Sequence, residues 1–217
     1  MSKIEFPKAK AHIRYRLANG TIVPGVTTIT GVLNKPALVY WANQMGLKGI
    51  DTRKYVDAAA RVGTLAHEMV EYYLRGERLD LSDYTPNEIE KARRAFRKFV
   101  VWAKPLDLQP ILLEEPLVSE SYRFGGTIDF YGIRNAIPSL IDFKTSKGLY
   151  AEHLLQVAAY AMLLRDNGHL VEQVYILRIG RDEGEGFEEL RVDRLHERQR
   201  LFVYCLGVYR LQKELGG

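Results

Sequence analysis

Residues 125–147, GGTIDFYGIRNAIPSLIDFKTSK, read as two short strands joined by a tight turn, and they organise the rest of the chain. If the turn is centred on its Asn-Ala dipeptide, Asp129 of the first strand lies directly opposite Asp142 of the second. Side chains alternate along a strand, so Lys144 points the same way as Asp142. Like charges opposite each other destabilise a sheet unless a cation lies between them. The sequence therefore predicts a divalent metal ion at this hairpin.

The composition is that of an ordinary globular protein, with 47% hydrophobic and 27% charged residues among 217. This length favours a single domain with a sizeable core. The net charge of +4 permits a polyanionic partner without requiring one. One cysteine, Cys205, excludes a disulfide framework, a zinc knuckle and an iron–sulfur cluster held by several cysteines. The N-terminal residues lack the apolar segment of a signal peptide and no long apolar span follows, so we expect a soluble, cytoplasmic protein.

Helix and strand patterns flank the central hairpin on both sides. Their order favours an α/β fold with a mixed central β-sheet flanked by α-helices. We expect one domain, with an N-terminal hairpin and helix appendage over residues 1–55 and the core over residues 56–217. The predicted elements are a hairpin over 12–29, helices from Pro36, over about 55–75 and from Thr85, a strand over 111–118, a helix over about 150–166, strands over 171–180 and 187–193, and a helix over about 194–214.

A histidine lies within the second predicted helix. His67 follows Gly63 by four residues, so the two share a helix face. Glycine inside a helix costs about 1 kcal/mol relative to alanine, so Gly63 indicates either a helix start near Thr64 or the close approach of another segment. A lone helical histidine is more often a surface or core residue than a metal ligand. His67 is therefore a candidate ligand only in combination with other motifs.

Polar residues also interrupt the apolar helix that follows the hairpin. Gln156 and Tyr160 are four residues apart on one face of it. Buried polar groups need partners, and the simplest arrangement is a hydrogen bond between these two side chains or to the backbone. The helix from Thr85 differs, because Lys91, Arg94 and Lys98 make its outer surface basic. This basic surface has two possible interpretations: a face that is simply solvated, or a face that contacts phosphate groups.

Four motifs occur in order along the chain. They resemble the PD-(D/E)XK nuclease superfamily, in its RecB-like branch, which carries such motifs on a helix, two strands and a helix. A D-x-K alone arises constantly by chance, whereas four motifs on the expected element types are specific. The resemblance spans about residues 60–165 and implies a restriction-endonuclease-like core; residues 27–46 also resemble phage RecB-like nucleases and the mitochondrial genome-maintenance exonuclease. The motifs are Gly63-xxx-His67-xxx-Glu71, Gly126-xx-Asp129, Asp142-x-Lys144 and Gln156-xxx-Tyr160.

The resemblance implies a metal site. Asp129 and Asp142 would hold Mg²⁺ or Mn²⁺, with the backbone carbonyl of Phe143 as a further ligand. His67 would complete that site or hold a second ion, and Glu115 would bind the metal directly or through water. Hard carboxylate oxygens suit Mg²⁺, and metal-bound water is far more acidic than bulk water.

The resemblance also implies roles in catalysis and in binding. Lys144 would orient or help to deprotonate the attacking water and stabilise charge on the phosphate. Gln156 and Tyr160 would position Lys144 or contact DNA. Lys91, Arg94 and Lys98, with Arg53, Lys54 and Arg61, would follow the nucleic-acid backbone.

The function implied is a metal-dependent DNA exonuclease in recombination, repair or phage DNA processing. A flap or junction endonuclease is an alternative, and a non-catalytic DNA-binding protein of recombination assemblies is an alternative of another class. The chain has no helicase segment, so a helicase or recombinase partner would be a separate protein. DNA rather than RNA follows from the family alone.

Overall fold

The computed structural model describes residues 13–33, 35–182 and 184–216. Within them the chain forms six α-helices and five β-strands. The helices are α1 (Val26–Thr30), α2 (Pro36–Leu47), α3 (Thr52–Arg75), α4 (Pro86–Ala103), α5 (Ala151–Asp166) and α6 (Leu195–Glu214). The strands are β1 (Leu108–Ser119), β2 (Phe124–Arg134), β3 (Ile137–Lys144), β4 (Gln173–Ile179) and β5 (Phe187–Arg191).

The strands form one mixed sheet in the order β1-β2-β3-β4-β5. Neighbouring strands are antiparallel except β3 and β4, which are parallel. Parallel neighbours need a crossover, and α5 supplies it between β3 and β4. The predicted α/β fold with a mixed sheet is confirmed.

Helices cover both faces of the sheet and bury β3 and β4 from two sides. On one face, Phe124, Leu140 and Ile176 pack with α1, α5 and α6, and we call this the α5–α6 layer. On the other face, Phe130 and Ile141 pack with α3 and α4, in the α3–α4 layer. No helix among the described residues is both long and apolar enough to cross a membrane.

The turn between β2 and β3 fixes their register. Asn135 and Ala136 have φ values of 48° and 68°, as a two-residue hairpin turn with left-handed backbone at both positions requires. Alanine is disfavoured in this conformation by about 1–2 kcal/mol, and the pairing of the two strands offsets that cost. Phe130 pairs with Ile141, which is the register expected from the sequence.

The N-terminal hairpin is shorter than predicted. Arg16 bridges Ile22 around the turn, but Val26 and Ile29 belong to α1 and are buried in the α5–α6 layer. The prediction of a strand as far as residue 29 is therefore wrong, because burial of these side chains against α5 and α6 requires a helical turn. The first residue of the predicted hairpin, residue 12, lies outside the described residues.

The boundaries of α3 and α4 follow their capping residues. Asp51 caps the start of α3, and Gly76 ends the helix in the left-handed conformation. The capping box of α4 is formed by Thr85 and Glu88. Glu88 also accepts a hydrogen bond of 2.6 Å from Nε of Arg61 on α3. That bond holds the pKa of Glu88 at about 2, well below its ordinary value.

Replacing Glu88 by glutamine tests the link between α3 and α4. The substitution Glu88→Gln keeps a side chain suited to the capping box and removes the charge. The folded-state pKa of Glu88 lies below its unfolded value, so its stabilisation is present above about pH 4.5 and is lost as the pH falls toward 2. We expect the variant to lower the free energy of unfolding in urea by about 1–2 kcal/mol at pH 7 and by almost nothing near pH 2.

The matched control is Glu90→Gln. Glu90 is more exposed than Glu88 and pairs with Arg94, which lies one turn further along α4. Exposed ion pairs contribute little, so this variant should stay within about 0.5 kcal/mol of the wild type. Equal losses for both variants at every pH would contradict the role assigned to Arg61.

Candidate metal centre

The candidate site lies where β2 and β3 separate. Their pairing ends at Phe130 and Ile141. The alternation of β2 breaks at the same place, because Ile128 packs in the α5–α6 layer and Phe130 in the α3–α4 layer. Residues two apart in a regular strand share a face. Asp129 lies at this break, and its Oδ2 accepts a hydrogen bond of 2.8 Å from the backbone N–H of Phe143.

Acidic residues from three adjacent strands meet at this break. The register of β2 with β3, continued by one residue, sets Asp142 opposite Asp129. The register of β1 with β2 sets Glu114 opposite Asp129 on the other side. Glu114 has a left-handed backbone with a φ of 49°, so β1 is irregular at the same level. Glu114, Asp129 and Asp142 therefore form one row across the sheet, which we call the carboxylate row.

His67 reaches the carboxylate row from α3. Its Nδ1 lies 3.7 Å from Oε1 of Glu114 and 3.7 Å from Oδ2 of Asp129. One ligand atom from each of the three residues lies within 4.8 Å of the others. Two carboxylates and an imidazole at this spacing form a group that could hold a divalent ion.

Asp142 lies at the other end of the row and is 1% exposed. It forms an ion pair with Nζ of Lys144. The approach lacks hydrogen-bond geometry, and neither carboxylate oxygen of Asp142 has a hydrogen-bond partner among the described residues. A buried carboxylate without hydrogen bonds is costly, so both oxygens are suited to a cation. The site thus has two adjacent parts. One is the possible metal-binding group of His67, Glu114 and Asp129, and the other is the ion pair of Asp142 with Lys144.

The protonation of the row follows from burial and mutual repulsion. Burial, reinforced by the negative charge of Asp142, raises the pKa of Asp129 to about 7. Burial alone would lower the pKa of His67, but the charge of Asp129 and a hydrogen bond with Glu114 outweigh it, so this pKa is raised. Asp129 is therefore partly protonated near neutral pH in the absence of a metal ion, and metal binding there would release the proton.

Gln156 and Tyr160 contact each other within α5. Nε2 of Gln156 donates a hydrogen bond of 2.6 Å to the hydroxyl of Tyr160, which is one of the two arrangements expected from the sequence. The Tyr160 ring lies on Gly126 of β2, where an added Cβ would come within 2.6 Å of it. Burial and the nearby charge of Asp142 raise the pKa of Tyr160 well above its ordinary value. Tyr160 therefore stays a neutral hydroxyl beside the carboxylate row.

Sequence reasoning missed His153, in the first turn of α5. It precedes Gln156 by three residues and Tyr160 by seven, so the three share one helix face. Its Nδ1 accepts a hydrogen bond of 3.3 Å from the backbone N–H of Tyr150. Burial, together with the positive charge of Lys144, lowers the pKa of His153. The helical spacing from Gln156 is the signal that could have found it.

Glu114, rather than Glu115, reaches the group around His67. Glu115 is exposed and lies outside that group, so its role as a metal ligand stays a prediction. The strand pattern could not distinguish the two neighbours, because only the pairing with β2 shows which one lies opposite Asp129.

The basic residues of α4 are partly engaged within the protein. Nζ of Lys98 donates hydrogen bonds of 3.0 Å to the backbone carbonyls of Gly180 and Asp182. Arg94 lies 3.4 Å from Glu90. These contacts support α4 and the connection between β4 and β5.

Gly63 lies inside α3, against the end of β3. A Cβ at this position would lie 2.7 Å from Oγ1 of Thr145, the residue after Lys144. Of the two interpretations of Gly63, a helix start near Thr64 is wrong and close approach of another segment is correct. The missing side chain lets α3 bring His67 up to the strands that bear the acids.

Neither a protein-family model nor a curated protein matches this chain. Among solved structures, a candidate exonuclease from Eubacterium rectale is similar with a TM-score of 0.48 and 11% identity, over 71% of this chain and 68% of that one. A protein named SSO0001 is similar with a TM-score of 0.34 and 19% identity, over 71% of this chain and 74% of that one. Likeness at this level carries no conclusion about activity.

Asp129→Asn tests the repulsion within the carboxylate row. Asparagine can still accept the hydrogen bond from Phe143 but carries no charge. In the metal-free protein we expect it to raise the free energy of unfolding by about 1–3 kcal/mol at pH 7.5. The gain should shrink toward pH 4, because wild-type Asp129 takes up its proton as the pH falls through about 7. Urea unfolding in EDTA measures both.

The same variant should lose the stabilisation that Mn²⁺ gives the wild type, measured as a shift in Tm. Glu115→Gln is the matched control, since it removes an exposed acid from the same region. It should leave the stability in EDTA and the Mn²⁺ shift unchanged. A destabilised Asp129→Asn protein that still responds to Mn²⁺ would contradict this account of the row.

Gly63→Ala tests the close approach of α3 to β3. The added methyl group would meet Thr145, so we expect a loss of about 1–2 kcal/mol in the free energy of unfolding despite the better helix propensity of alanine. Thr145→Ala should relieve the clash, with a coupling energy of about 1 kcal/mol or more in a double-mutant cycle. Gly46→Ala in α2, where a Cβ meets nothing within 4 Å, is the control. If Gly63→Ala were as well tolerated as the control, the contact would not limit the fold.

Proposed function

We propose that this protein is a metal-dependent nuclease of the PD-(D/E)XK type that hydrolyses phosphodiester bonds of DNA, acting from ends as an exonuclease. The observation that carries the proposal is the carboxylate row, with His67 at one end and Lys144 at the other. The residues come from α3 and from three adjacent strands, and the burial of the Asp142 carboxylate without hydrogen bonds has no use in a purely structural role.

The carboxylate row would hold Mg²⁺ or Mn²⁺. Glu114, Asp129 and His67 are the proposed ligands of one ion, and Asp142 with the backbone carbonyl of Phe143 extends the ligand set on the other side. When bound, such an ion acidifies a bound water and neutralises charge on the phosphoryl group. Metal binding at Asp129 would release a proton, since the pKa of Asp129 is raised without the metal.

Lys144 is proposed to act on the phosphate. Its ammonium is held beside Asp142, and it lies 3.5 Å from the carbonyl oxygen of Phe143. A cation fixed there can stabilise charge that develops on the phosphate and orient the attacking water. Gln156 and Tyr160 would position it, because their hydrogen-bonded pair occupies the α5 face beside the row.

DNA is the proposed partner, with Lys91, Arg94 and Lys98 of α4 as proposed contacts to the phosphate backbone. Of the alternatives, a non-catalytic DNA-binding protein is disfavoured by the buried Asp142–Lys144 pair, which backbone binding alone does not need. A flap or junction endonuclease would use the same site and differs in the substrate it admits. A helicase or recombinase partner fits a nuclease in repair or recombination.

The test compares Glu114→Gln with Glu115→Gln on end-labelled linear DNA with Mg²⁺ or Mn²⁺. We expect Glu114→Gln, Asp142→Asn and Lys144→Ala each to lower kcat by about 10²-fold or more, since each removes charge at the reacting phosphate. Glu115→Gln and Lys147→Ala should retain activity, because both side chains are exposed. Equal activity of the two glutamate variants would contradict the proposed ligand set.

Closed circular DNA separates the two nuclease modes. An exonuclease should degrade linear DNA progressively and leave closed circles intact. Cleavage of circles or junctions without loss from the ends would favour the endonuclease instead. DNA retention without metal-dependent cleavage would overturn the proposal.

A further inference from the structure

Helix α6 has two apolar faces. The buried face carries Phe202, Cys205 and Leu206, which pack in the α5–α6 layer. The opposite face carries four further apolar side chains, which Leu215 directly after the helix continues, and the five are between 45% and 84% exposed. We call this second set the α6 seam: Leu201, Tyr204, Val208, Leu211 and Leu215.

The α6 seam has the spacing of a helix-pairing surface. Its members follow one another at intervals of three, four, three and four residues, the repeat that places side chains along one edge of a coiled-coil helix. A surface helix of a globular protein normally has one apolar stripe, and α6 already buries one. A second stripe of large side chains in solvent indicates an interface.

We propose that the α6 seam binds the α6 seam of a second copy of this chain, antiparallel and about a two-fold axis near Gly207. In a two-fold dimer the same surface of each copy forms the interface, so the two seams would bury each other and leave neither exposed. The proposal goes beyond the proposed function and does not depend on it.

Gly207 supports the position of the axis. Glycine inside a helix lowers stability relative to alanine, so it needs a reason. Packing within one copy gives none, because a Cβ at Gly207 would meet nothing within 4 Å. Gly207 lies beside the seam, next to Val208 at its centre. A second helix crossing there could approach the backbone closely.

Charges on the flank of the seam support the antiparallel direction. Arg200, Gly207 and Glu214 recur at intervals of seven residues along one side of it. With the axis at Gly207, Arg200 of one copy lies beside the partner's Glu214, and the same pair occurs again by symmetry. Residues at such flanking positions set partner choice and orientation in paired helices.

The available area also fits a dimer of two copies. The five seam side chains expose on the order of 500 Å² of mainly apolar surface per copy, against about 800 Å² per partner in a standard interface. The polar rim supplies the remainder. It includes an open groove of about 430 Å³ beside α6, lined in part by Tyr122, His196 and Arg200.

Pairing through α6 would leave the candidate metal centre open. Helix α6 belongs to the layer on one face of the sheet, whereas α3, which carries His67, belongs to the layer on the other face. Activity and association are therefore separately testable.

The mass of the full chain in solution, measured by light scattering and sedimentation, tests the proposal. We expect a species of about twice 24.9 kDa that dissociates on dilution. The double variant Tyr204→Glu with Leu211→Glu should be monomeric and folded, with the Tm of the wild type diluted to its monomer, because both side chains are exposed in one copy. Val101→Glu, at an exposed apolar position of α4, is the matched control and should remain dimeric.

A charge exchange tests the direction of pairing. Arg200→Glu or Glu214→Arg alone should weaken the dimer about tenfold in Kd, since each replaces two ion pairs by like charges. The two substitutions together should restore the wild-type Kd. Weakening without restoration would overturn the antiparallel arrangement.

Two other results would overturn the proposal as a whole. One is a wild type that is monomeric at every concentration. The seam would then be covered by a different protein or by another segment of the chain. The other is a dimer that survives Tyr204→Glu with Leu211→Glu, which would place the contact elsewhere.

Discussion

Repulsion between three carboxylates, one buried and two largely shielded from solvent, is the constraint around which this structure is arranged. Glu114, Asp129 and Asp142 lie in one row across β1, β2 and β3, where like charges oppose one another. The row is tolerated because Lys144 pairs with one end, His67 approaches the other, and the backbone N–H of Phe143 binds the middle. Apolar layers on both faces of the sheet prevent the strands from moving apart to relieve the repulsion.

Two glycines let helices α3 and α5 pack closely beside the carboxylate row. At Gly63 the missing side chain brings α3 against Thr145, and at Gly126 it brings the ring of Tyr160 against β2. Each helix thereby carries polar groups to the place where β2 and β3 part. The geometry of the site depends on backbone contacts as much as on the acids themselves, because a single methyl group at either position would push a helix away.

The candidate metal centre and the α6 seam lie on opposite faces of the sheet. Helices α3 and α4 shelter the candidate metal centre, and α4 is tied to α3 through Arg61 and Glu88. On the other face, α6 buries one stripe against the core and leaves the α6 seam in solvent. If the proposed nuclease function and the proposed pairing both hold, a two-fold pair would keep two metal centres at a fixed separation.

Short-range chemistry in the sequence determined much of this protein. The Asn-Ala turn fixed the register that sets Asp129 opposite Asp142, because a two-residue hairpin leaves no freedom to slip. Thr85 and Glu88 fixed the start of α4, and Asp51 with Gly76 bounds α3, because capping groups satisfy backbone donors and acceptors locally.

Long-range packing decided the rest. Only the pairing of β1 with β2 selects Glu114 over Glu115, because alternation fails where both strands are irregular. Only burial against α5 and α6 turns Val26 and Ile29 into a helix in place of a strand. Long-range packing also sets the raised pKa of Asp129, since that pKa depends on desolvation and on charges that are distant in the chain and adjacent in the fold.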